Sequence, residues 1–143
     1  MQKKGFTLIE LLVVIAIIAL LSTLAVVALG SAREKSRDAK RLADIKQVQT
    51  ALELYFTDQN AYPAGTALVL GGANALCLGA GGFAASGCTT PVYMGKVPAN
   101  PTPGGVDYAY TVSGSSYSIA FTLEGASGGL ALGAHTASPS GIQ

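Results

Sequence analysis

The side chain best placed for chemistry in this 143-residue chain is Glu10, a lone carboxylate at the start of a long apolar run. An ionised group at membrane depth is costly, so such a charge is usually paired and functional. Few other reactive candidates exist. Cys77 and Cys88 are the only cysteines. Held outside the cytoplasm, they are expected to form a disulfide, whose closure removes about 2–3 kcal/mol of denatured-state entropy. Two cysteines do not make a four-ligand zinc site, and the single His135 is distant in sequence, so no metal and no cofactor are expected. Carboxylates are not clustered and His135 has no evident partner to position it, so the chain is not expected to be an enzyme.

The element that must carry Glu10 is a helix. Every residue from 11 to 21 is apolar, Ser22 and Thr23 interrupt mildly, and residues 24–29 resume the run. At 1.5 Å per residue, residues 11–29 span roughly 28 Å, close to the hydrocarbon thickness of a bilayer. A single membrane span is therefore expected. A secretory signal peptide cut near Ala32 is the competing reading, and Glu10 counts against it because a carboxylate hinders insertion of such a segment. Beyond the span, Leu42, Ile45, Val48, Leu52 and Tyr55 recur at steps of three or four, the pattern of an amphipathic helix. Arg33, Lys35, Arg37, Lys40, Arg41 and Lys46 are assigned to its other faces. By lysine and arginine count alone, this cluster would place the C-terminal side in the cytoplasm.

Gly5-Phe6-Thr7-Leu8-Ile9-Glu10-Leu11, preceded by Lys3 and Lys4, resembles the cleavage and assembly motif of type IV pilins and pseudopilins. The resemblance implies cleavage by a prepilin peptidase on the cytoplasmic side, between Gly5 and Phe6, and N-methylation of Phe6. On that ground we set aside the orientation given by charge count. It also implies that Glu10 sets assembly register, by meeting the new α-ammonium of Phe6 in a neighbouring subunit. Unpaired, either charge would be expensive in a low-dielectric core. The implied partners are copies of the same chain in a helical filament, the prepilin peptidase and assembly machinery, and the membrane before assembly. The implied location is the cytoplasmic membrane as a single-pass precursor, then the cell surface. The function so implied is that of a filament subunit. A pseudopilin of a secretion or DNA-uptake system, or a minor pilin or adhesin, is the alternative.

The expected fold is α+β and type IV pilin-like, a long N-terminal helix packed on a small antiparallel sheet. We assign residues 1–5 to the leader, 6–30 to the membrane-spanning half of the helix and 31–57 to its amphipathic half. Pro63 and Asn60 favour a helix stop before the Tyr-Pro step. Residues 58–105 read as a variable loop region rich in glycine, with residues 66–70 or 74–78 a candidate short helix or strand. Val106, Tyr108, Tyr110 and Val112, then Tyr117, Ile119, Phe121 and Leu123, alternate with small or polar residues and predict a hairpin. The sheet is assigned to residues 106–134 and a loose tail to 135–143. Major secretion pseudopilins carry an acidic calcium-binding loop in this part, but residues 125–143 contain no Asp or Glu. Beyond residue 46 the only basic side chain is Lys96, so no nucleic-acid face is expected.

Overall fold

The computed structural model describes Met1 and residues 5–143, so the leader lysines Lys3 and Lys4 lie outside the described residues. Helix α1 runs over Leu8–Gln59. It ends where Asn60 turns into the left-handed region (φ 55°) and donates its backbone N–H to the Phe56 carbonyl at 2.7 Å. Asparagine tolerates that conformation better than most residues, and Pro63 bars a return to helix soon after. The chain divides into two compact units, Met1–Glu34 and Lys35–Gln143.

In Met1–Glu34 residues 11–21 and 24–29 of the helix are apolar, and an 18-residue stretch is unburied among the described residues. A helix of this length and composition is long and apolar enough to cross a membrane.

In Lys35–Gln143 the helix presents the stripe read from sequence. Ile45, Val48 and Leu52 are buried, with Leu42 and Tyr55 half-buried beside them. They pack against a five-stranded antiparallel sheet of β1 (Leu68–Val69), β5 (Ala109–Ser113), β6 (Ser116–Leu123), β7 (Gly133–Ser138) and β8 (Gly141–Ile142), in that spatial order. The β5–β6 hairpin pairs Tyr110 with Ile119 and Val112 with Tyr117. Its two-residue loop places Gly114 at φ 57°, a conformation in which glycine carries no steric penalty. Tyr110, Tyr117, Ile119, Phe121 and Leu123 all point into the core, as their alternation requires. A second sheet, ordered β3–β2–β4, is built from Cys77–Gly79 (β2), Gly82–Ala84 (β3) and Val92–Met94 (β4). The architecture is α+β and pilin-like.

Three expectations are corrected. Residues 135–143 are not a loose tail: β7 lies along β6 from Ile119–Ala137 to Leu123–Gly133, and β8 folds back on β7. Residues 58–105 are not simply loop, because β1 to β4 fall within them. Strands of two or three residues are too short to show a period, and β7 has only Ala137 to bury. Val106 does not open the first hairpin strand; it is 55% exposed, since the chain is still turning at Gly104 (φ 84°) and Gly105 (φ 68°).

Candidate functional site

Glu10 sits in the first turn of α1, where its carboxylate closes a reciprocal cap. Oε2 accepts from the Thr7 N–H at 2.8 Å and from the Thr7 hydroxyl at 2.7 Å, and the Glu10 N–H points at Thr7 Oγ1 at 3.3 Å. Thr-x-x-Glu at a helix start is the capping box, which satisfies donors that the first turn leaves free. Thr7 was not singled out from the sequence, although this spacing was the signal that could have found it. A Cβ on Gly5 would meet nothing within 4 Å, and Phe6 is 85% exposed, so both residues are open among the described residues. Phe6, Ile9, Glu10, Val13 and Val14 line a shallow, almost wholly apolar groove of about 330 Å³. A carboxylate on such a face offers one charged contact within an otherwise oily surface.

A second constellation, in Lys35–Gln143, departs from the sequence reading, which put Arg41 on a polar face. Arg41 is fully buried. Its Nη1 lies 2.7 Å from Asp38 Oδ1 and 2.5 Å from Glu124 Oε1. Its Nε donates to Asn100 Oδ1 at 2.8 Å, and its Nη2 donates to the carbonyls of Pro101 at 2.9 Å and Gly104 at 2.8 Å. Five N–H donors therefore meet five oxygens, which is the full capacity of a guanidinium. Asp38 in turn accepts from the backbone N–H of Glu124 at 3.0 Å and Gly125 at 2.8 Å. Arg37 grips Glu124 with both Nε and Nη2. Those bonds outweigh partial burial, and with Arg41 they hold the Glu124 carboxyl down to about 2. The sequence signal was the spacing: Asp38, Arg41, Ile45, Val48 and Leu52 share one face at steps of three and four. A helix stripe that begins with two opposite charges carries them into the core with it.

Cys77 and Cys88 are joined by a disulfide across 11 residues. His135 lies in β7, with Nε2 2.7 Å from the Ala131 carbonyl and Nδ1 3.1 Å from that of Gln143. Asp44 accepts from the buried Tyr108 hydroxyl at 3.2 Å, and burial raises its carboxyl above the usual range despite that bond. Among the described residues no group of three or more His, Cys, Asp or Glu gathers as a metal site.

A largely apolar helix start with a capped carboxylate, on a chain whose C-terminal unit packs an amphipathic helix on antiparallel sheet, is consistent with a type IV pilin-like α+β fold. Residues 1–30 match the family model for the prokaryotic N-terminal methylation motif. The chain is 40% identical over 63 residues to type II secretion system core protein G of Pectobacterium carotovorum, covering 44% of this chain and 40% of that protein. It is 42% identical over 66 residues to the core protein G of Aeromonas hydrophila, covering 44% of this chain and 46% of the other. It is also 39% identical over 69 residues to the type IV wide pilus major component PilA4 of Thermus thermophilus, covering 48% and 53% respectively. The chain thus spans about half the length of these relatives, or less. No solved structure matches it. The N-terminal region is thus similar to that of type IV pilins and pseudopilins, and the similarity does not extend to the rest of the chain.

Proposed function

We propose that this chain is a structural subunit that polymerises into a type IV pilus-like filament, and that its work is assembly, not catalysis. The observation that carries this is Glu10, a charged group at the head of a helical segment whose apolar side chains are exposed among the described residues. Before assembly, lipid covers that segment and anchors the precursor in the cytoplasmic membrane. A prepilin peptidase cuts between Gly5 and Phe6, and the freed Phe6 amine is methylated. In the filament the same apolar surface packs against the helices of neighbouring copies. Glu10 of one subunit then meets the Phe6 ammonium of the next. Four positions separate the two groups in sequence, so their pairing fixes one axial offset between neighbours. A misregistered subunit leaves two unpaired charges in a low-dielectric core, which makes the pair a register device.

Relatives occur in both secretion and pilus machineries, and the absence of acidic residues from 125–143 supports the pilus reading over a calcium-loop pseudopilin. The test is N-terminal mass spectrometry and filament yield from the native envelope, for wild type and Glu10→Ala. A mature chain starting at Phe6, in filaments that Glu10→Ala does not build, is expected. A start near Arg33, or an uncut Met1, removes the ammonium partner and overturns the proposal.

A further inference from the structure

Arg41 lies in a cage built of oxygens. Its five acceptors are the carboxylates of Asp38 and Glu124, the side-chain oxygen of Asn100, and the backbone carbonyls of Pro101 and Gly104. Two carboxylates, one amide oxygen and two carbonyls are the donor types that hard divalent cations, calcium above all, take from proteins. The loop that supplies three of them closes tightly. Gly104 and Gly105 both have positive φ, and a Cβ on Gly105 would lie 2.9 Å from the Arg41 guanidinium, while one on Gly104 would lie 2.5 Å from the Glu124 carboxyl. The cage is electrically complete, since Arg37 and Arg41 balance Asp38 and Glu124.

The calcium loop that resemblance to secretion pseudopilins implies does not fit this chain. Residues 125–143 offer no carboxylate, and the start of that stretch is held instead by Asp38, which accepts from the Glu124 and Gly125 N–H groups. We propose that Arg41 acts as a built-in cation: its guanidinium gathers oxygens of the types a divalent metal ion would draw on, and so makes the fold of residues 35–143 independent of external calcium. The cation arrives on α1, fixed to the stripe that also supplies the core, so the loop at 100–105 and the end of β6 are organised as the helix packs. This inference does not depend on the filament reading.

The experiment is thermal unfolding of the full chain in detergent micelles, followed by near-ultraviolet circular dichroism, in excess EDTA and in millimolar calcium chloride. Wild type is expected to melt at the same temperature in both. Arg41→Ala is expected to melt more than about 10 °C lower, because it leaves the buried Asp38 carboxylate without its counter-charge. Calcium or free guanidinium is expected to restore part of that loss, and Glu124→Gln in the same background to abolish the rescue. A wild-type melting temperature that rises with calcium overturns the proposal, as does an Arg41→Ala protein that gains nothing from either cation. Should Arg41→Ala fail to fold, the comparison of Arg41→Lys with Arg41→Gln decides. Lysine keeps a cation, glutamine keeps donors without charge, and the lysine variant must melt higher; equal values refute a cation's role.

Discussion

Replacing Glu124 by Gln isolates one charge of the buried cluster, and its effect must depend on pH. Glu124 titrates at about 2 against an ordinary value of 4.5. At about 1.4 kcal/mol per tenfold change, that gap corresponds to at most about 3.5 kcal/mol of stability. The side chain is 19% exposed and that of Arg37 21%, so solvent screening brings the expected figure nearer to about 2 kcal/mol. The sign follows from the direction of the shift. A carboxylate depressed in the folded state contributes fully above its unfolded value and loses its contribution as pH falls from about 4.5 to about 2. Glu124→Gln is therefore expected to be about 2 kcal/mol less stable than wild type at pH 7, and the gap should close toward zero across that acid window. Urea unfolding of the full chain in detergent measures this. All six tyrosines lie beyond residue 54 and there is no tryptophan, so near-ultraviolet dichroism reports on residues 35–143. A gap that stays constant from pH 7 to below 3, or a wild type already losing this contribution near pH 6, refutes the assignment.

Two other perturbations test the packing of the same unit. Leu52 is wholly buried and Leu54 is 52% exposed, so Leu52→Ala should cost about 2–5 kcal/mol and Leu54→Ala less than about 0.5, as read by urea midpoints. Reducing the Cys77–Cys88 bond opens an 11-residue loop, so dithiothreitol should lower stability by about 2–3 kcal/mol in wild type and do nothing to the Cys77→Ala, Cys88→Ala protein.

The sequence by itself determined the elements whose signal is local. The apolar run, the Leu42–Tyr55 stripe and the alternation through Tyr110–Val112 and Tyr117–Leu123 announced a long helix and a hairpin, because each repeats its pattern often enough to reveal a period. The helix stop was legible too, since Asn60 and Pro63 act through their own backbone preferences. Tertiary structure alone decided the rest. Strand β7 carries glycine, alanine, histidine, threonine and serine with no large apolar side chain; it is a strand because β6 offers it a free edge, not because its residues favour one. The strands of residues 58–105 are likewise set by pairing across distance. Arg41 makes the same point for side chains. Its neighbours in sequence made it one more cation on a charged helix, and only the arrival of Glu124, Asn100, Pro101 and Gly104, from 59 to 83 positions away in the chain, gave it enough oxygens to be buried. A guanidinium can leave water only where its donors are met, and no local pattern records where distant acceptors will come from.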